Sequence, residues 1–223
     1  MTRKLLIQAI VKYILGVIIV ATLLLVPAHS LSYWNAWLFM GLLFIPMFIV
    51  GIILMLKNPK LLESRLNNKE TEKEQKIVII SSGIMFILGF VLAGLNYRYQ
   101  WIQLPTIVNI ISSIIFIISY IIYAEVLREN TYLSRTIEVQ KEQKVIKTGL
   151  YKLVRHPMYA ATIPLFLSIP LILGSIQSFI IFLAYPFIIS KRIKNEEIVL
   201  EKELKDYKEY KKEVKYKMIP YIW

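Results

Sequence analysis

The sequence predicts an all-α integral membrane protein of about five to six transmembrane helices, with a helical hairpin late in the chain and an amphipathic C-terminal helix after it. Two observations carry this. Of 223 residues, 57% are hydrophobic, and they are gathered into runs too long for the core of a soluble domain. Of the 27 lysines and arginines, all but Arg98 gather toward alternate ends of these runs. A bilayer core offers no water to a free peptide group, so long apolar runs there resolve as helices.

Leu5 to Val26, Trp34 to Leu56, Ile77 to Tyr97 and Leu104 to Leu127 each reach the roughly 20 residues that a spanning helix needs. Pro27 closes the first, and Tyr33, Trp34 and Trp37 open the second as a headgroup belt. Lys57 to Lys76 mixes both charges with Leu61, Leu62 and Leu66, which predicts a solvating segment on the membrane surface. The third and fourth spans pair through Tyr97 to Gln103, and Asn109, Ser112, Ser113, Ser119, Tyr120 and Tyr123 are expected to be packing contacts. Glu125, about one turn from the end of the fourth span, is a weaker candidate for a site.

The β-branched alternation of Thr136, Ile137, Val139 and Val145 predicts an extended passage over Arg128 to Lys147 that covers whatever lies beneath. Met158 to Leu173 and Ile176 to Ser190 are shorter runs of about 15 to 16 residues joined at Gly174-Ser175, a tight hairpin. Leu200, Leu204, Tyr207, Tyr210 and Val214 then recur at helical spacing. They predict one amphipathic helix, ended by Pro220, that lies on the membrane or folds back over a site.

A net charge of +12 in a soluble protein would suggest nucleic acid, but its distribution excludes that. With six spans, all the basic residues but Arg98 share one side, which the positive-inside rule makes cytoplasmic, together with both termini. The chain has no cysteine, and its two histidines, His29 and His156, fall on opposite sides, so no metal centre is expected.

Two charged clusters share the basic side. The first is GLYKLVRHPMY, Gly149 to Tyr159, where Pro157 suits the first position of a helix and His156 its N-cap. Arg155 adds a planar fork of donors beside the positive helix end, an anion corner, with Tyr151 and Tyr159 flanking it. The second is KRIKNEE, with Arg192, Glu196 and Glu197 at the end of the last apolar run. On a straight helix Glu196 lies about 40° from Arg192 and Glu197 about 140° away, so Glu196 is expected to support the arginine and Glu197 to face a ligand. An anion corner, an acidic pair and aromatic surface match a zwitterionic ligand with a flat ring, and S-adenosylmethionine is one. No Gly-rich nucleotide loop and no nucleophile elbow occurs.

These residues, with Leu200, Tyr207, Tyr210 and Ile219-Pro220 behind them, resemble the isoprenylcysteine carboxyl methyltransferase family, itself similar to phospholipid N-methyltransferases. The resemblance runs from about Glu125 to Trp223, with Leu150 where the family often has Pro and Ala160-Ala161 where it often has Gly. It implies a methyl transfer from S-adenosylmethionine to a lipid-like or prenylated substrate, at a carboxylate, on the cytoplasmic face. It also implies that Gly149, Tyr151, Arg155, His156, Pro157, Tyr159, Glu196 and Glu197 hold the cofactor, with Arg192 and Glu197 as catalytic residues. On that reading 1–127 is a set of transmembrane hairpins and 128–223 the catalytic region, with the hairpin 158–190 inside it. RHP-x-Y also occurs in sterol reductases, so an NADPH-dependent membrane reductase stands as an alternative. A non-enzymatic lipid-binding protein is another.

Overall fold

The computed structural model describes residues 3–67, 73–137 and 139–223, and among them every regular element is helical. The order is α1 (Arg3–Ala28), α2 (Trp34–Lys57), α3 (Pro59–Leu66), α4 (Lys73–Tyr99), α5 (Thr106–Glu129), α6 (Pro157–Ile172), α7 (Ile176–Phe182), α8 (Tyr185–Glu203) and α9 (Tyr207–Glu213). Among the described residues five stretches are long and apolar enough to cross a bilayer: α1, α2, most of α4, α5, and Ile176–Glu203. The chain is therefore an all-α, multi-pass integral membrane protein. Ile14 and Ile18 on α1 and Ile110 and Ile114 on α5 stand half exposed, as side chains do that face lipid tails.

Small residues set how closely the helices approach. At Gly94 of α4 a Cβ would lie 2.6 Å from the Leu24 carbonyl of α1, so those two backbones touch. Phe182 of α7 packs against Gly89 and edge-on to Phe86, with ring centroids 5.3 Å apart at 85°.

The late hairpin forms, with one difference from expectation. Its second arm is not one run but α7 and α8, interrupted at Leu183 and Ala184. Pro186 explains the break, because it has no N–H to donate and its ring clashes with the carbonyl of Phe182 one turn back. Beyond the break α8 continues well past Ser190 as a charged helix to Glu203, with Ile193 still fully buried in the main apolar cluster.

The far end of α6 shows how a buried turn is tolerated. Gly174 takes φ +75°, Gly174 N donates to Leu171 O at 3.1 Å and Ser175 N to Pro170 O at 2.9 Å, a Schellman closure that needs a left-handed glycine. The carbonyls of residues 171–174 also meet side chains of other helices. Asn109 Nδ2 donates to Leu171 O at 2.7 Å, Asn35 Nδ2 to Ile172 O at 2.7 Å, Tyr33 Oη to Leu173 O at 2.6 Å and Asn96 Nδ2 to Gly174 O at 3.1 Å. Asn109 is thus the packing contact its position predicted.

The expected single amphipathic helix is two pieces. Leu204 ends α8 in an extended conformation and Asp206 enters the left-handed region, which turns α9 back. Leu204, Tyr207 and Tyr210 are buried with Val139 and Val145 of the 128–147 passage, so this face covers the chain and not the lipid. Pro220 plays no part in ending the helix, which stops at Glu213.

Candidate active site

The cluster Gly149 to Tyr159 folds as its proline dictates. Pro157 opens α6 and His156 is its N-cap, at φ −126° and ψ 61°. The ring of His156 does not cap the helix; its Nε2 lies 3.2 Å from Glu197 Oε1. The backbone N–H groups of Arg155 and His156 donate to the carbonyls of Tyr216 at 2.9 Å and Lys217 at 2.8 Å. The segment after α9 therefore straps across the start of α6.

Arg155 is 6% exposed and turned into this strap. Its Nε donates to Glu197 Oε1 at 2.8 Å and its Nη1 to Val214 O and Lys215 O at 2.7 Å each. Lys217 Nζ sits 3.2 Å from Glu197 Oε2. Glu197, expected to face a ligand, is instead enclosed by cations, and a carboxylate desolvated to this degree is held by having such partners.

Glu196 lies on the other side of α8, as the helical angle requires. Tyr159 Oη donates to Glu196 Oε2 at 2.7 Å and accepts from Arg192 Nε at 2.8 Å. One hydroxyl thus ties arginine to carboxylate, so Glu196 supports Arg192 through Tyr159. Arg192 Nη2 also donates to Arg135 O at 2.7 Å.

Between these two knots is a cavity whose lining residues all lie from Asn130 to Tyr210. Of the residues singled out in the sequence it is lined by Tyr151, Arg155, His156, Tyr159, Arg192 and Glu196, whereas Gly149, Pro157 and Glu197 stand behind its wall. Gly149, at φ +49°, packs on the Glu129 carboxylate, where any Cβ would collide, and that carboxylate accepts from Leu150 N at 3.0 Å. The passage 128–147 roofs the cavity with Thr136 and Val145 among others, as its pattern predicted. Glu125 is not part of the site, since it pairs with the exposed Arg128 on the surface.

Three tyrosine hydroxyls around the cavity have different surroundings. Tyr151 Oη accepts from Asn130 Nδ2 at 2.9 Å, and Tyr210 Oη donates to Tyr151 O at 2.7 Å. Tyr207 Oη is buried and has no hydrogen-bond partner among the described residues. Burial pushes all three hydroxyls above their ordinary pKa, at Tyr207 reinforced by the charges of Glu197 and Glu196, so they stay protonated donors at neutral pH.

Asn130 and Arg65 were not singled out in the sequence. Arg65 lies on α3, in the stretch expected only to solvate the surface. Its Nη1 donates to Ser134 O at 3.1 Å, and it bonds the Tyr123 hydroxyl. The signal was Asn58-Pro59, an N-cap with proline at the first helical position, confirmed by Leu61 N donating to Asn58 Oδ1 at 3.2 Å. Only the two ends of that loop fall within the described residues.

Fold and cavity together define a multi-pass membrane protein with a cavity lined by polar and aromatic side chains. Residues 110–202 match the model of the Isoprenylcysteine carboxyl methyltransferase (ICMT) family, from within α5 to near the end of α8, which bears out the resemblance carried by Gly149 to Tyr159 and Arg192 to Glu197. No curated protein matches the chain.

Proposed function

We propose that the protein is a membrane-embedded methyltransferase that uses S-adenosylmethionine and acts on a prenylated or otherwise lipid-like acceptor. The observation that carries this reading is the buried Tyr207 hydroxyl, left without a partner in a cavity that lies largely inside the family-matched stretch and is shared with Glu196 and Tyr159. A buried donor without an acceptor is unfavourable, and a polar ligand in the cavity would relieve it.

The donor set fits that cofactor. Glu196 would accept from its ammonium or ribose hydroxyls, Tyr207 would donate to its carboxylate, and the rings of Tyr151 and His156 would flank its base. When bound, S-adenosylmethionine supplies an electrophilic methyl on a sulfonium. Arg192, fixed by Tyr159 and the Arg135 carbonyl, would orient the acceptor's carboxylate. Such a carboxylate is ionised at neutral pH and needs no base, so what the site contributes is alignment and the exclusion of water. In this reading Glu197 and Arg155 position the wall and do not touch the reacting atoms.

The distribution of basic residues supports a cytoplasmic side for the site and both termini. Cysteines introduced as Ser32→Cys and Lys205→Cys into this cysteine-free chain should label from opposite faces of sealed vesicles; labelling from the same face defeats this topology. The activity is tested by transfer of a radiolabelled methyl group into total membrane lipid, with S-adenosylhomocysteine and NADPH binding measured by calorimetry. Binding of S-adenosylhomocysteine with label in the lipid supports the reading. Binding of NADPH alone supports a reductase, and binding of neither supports a lipid-binding protein.

A further inference from the structure

Beside the cavity, three arginines from separate stretches converge. Arg65 on α3 and Arg192 on α8 donate to the consecutive carbonyls of Ser134 and Arg135, at 3.1 and 2.7 Å. The Arg135 side chain leaves the same turn, and its guanidinium pKa is pushed down by burial and then by the charges of Arg65 and Arg192. Gln75 of α4, only 1% exposed, completes the group, its Oε1 accepting from Arg192 Nη1 at 3.4 Å. Arginine can only donate, so oxygen must be the amide atom that faces it. Gln75 Nε2 is then left buried with no hydrogen-bond partner among the described residues. Arg65 also reaches to 4.0 Å from the sulfur of Met158, a cavity-lining residue, so notch and cavity adjoin.

An amide donor unmatched among the described residues, on a glutamine held by Arg192 at the edge of a membrane body, has the chemistry of an anion site. We propose that this notch binds the anionic head group of a lipid-like ligand, carboxylate or phosphate, with Gln75 Nε2 and the guanidinium of Arg65 as its donors. As the head-group subsite of a methyl acceptor, the notch rests on the methyl-transfer reading; as an anion site, it does not. Neither Arg65 nor Gln75 lies within the family-matched residues 110–202, so the selection of the head group is assigned to the N-terminal half of the chain.

The test uses the full chain in phosphatidylcholine nanodiscs, titrated with farnesylthioacetic acid and with its methyl ester. The acid should bind about tenfold more tightly than the ester. Gln75→Leu and Arg65→Gln should each remove most of that advantage while S-adenosylhomocysteine affinity, read in parallel, is retained. If Gln75→Leu fails to fold, Gln75→Glu keeps the shape, places a carboxylate in the notch and should reverse the preference. Repeating the titration with phosphatidylglycerol in the nanodisc separates the sources. Loss of the acid's advantage there identifies a bilayer phosphate as the resident ligand, and its survival identifies the acceptor's carboxylate. Equal affinity for acid and ester in the unmodified chain, or an advantage unchanged in the variants, overturns the proposal. An unmodified chain that does not bind S-adenosylhomocysteine defeats the methyl-transfer reading instead, and the acid-ester comparison still decides the notch.

Discussion

The two ends of α6 pose the same physical problem and solve it differently. At the Gly174 end, the carbonyls of residues 171–174 are each met by Tyr33, Asn35, Asn96 or Asn109, and the turn is closed. At the Pro157 end, the backbone donors of Arg155 and His156 are met by the strap, yet Tyr207 Oη and Gln75 Nε2 nearby are left unmatched. Both ends are polar groups buried in an apolar body. Matched backbone carbonyls mark the end that holds the fold, although Ser178 Oγ just past its turn is unmatched among the described residues too, and unmatched donors beside the cavity mark the end proposed to take a ligand.

The sharpest way to break this comparison is at Glu197. Glu197→Ala should destabilise the protein by about 3–5 kcal/mol in a denaturant titration, because Arg155 is left buried without its charge partner. A small stability loss with a large loss of cofactor affinity would move Glu197 from the wall to the ligand. At the closed end, Asn109→Leu should cost about 1–3 kcal/mol, since the carbonyl of Leu171 loses a buried donor. S-adenosylhomocysteine affinity should not change in that variant, and an equal fall in affinity would erase the distinction between the ends.

Tyr159→Phe unties Arg192 from Glu196 and should lower turnover about tenfold, with cofactor affinity nearly kept. A fall in affinity with turnover kept would make the knot part of the cofactor grip. The smallest effect is expected at Tyr207→Phe. Its hydroxyl makes no hydrogen bond among the described residues, so stability should hold within about 0.5 kcal/mol while S-adenosylhomocysteine binding weakens by about 0.5–1.5 kcal/mol. A stability loss there, with binding intact, would show that the hydroxyl is matched after all.

The four long spans and the start of α6 were legible in the sequence because each rests on a local rule: bilayer thickness for the first, proline geometry for the second. The separation of Glu196 from Glu197 was legible too, since helical angle alone divides them. Which of them faces the cavity was not, because that depends on Arg155 and Lys217, brought to Glu197 from elsewhere in the chain. The break in the last span had a visible cause in Pro186, whereas the split between α8 and α9 turns on a left-handed Asp206 that no residue type announced. Arg65 was hidden differently. Its stretch reads as surface by composition, and only its contacts with Ser134 and Tyr123 bring it to the edge of the site.

The strap also sets an order of events during synthesis. All the candidate spans are complete by Glu203, but the acceptors for Arg155 N and His156 N are Tyr216 and Lys217. Until those residues emerge, the start of α6 carries two open donors and Arg155 lacks two of the three groups that its guanidinium bonds. A chain made from its N-terminus thus enters the bilayer first and closes its cavity afterwards, so a nascent protein that is already threaded through the membrane has no finished cavity.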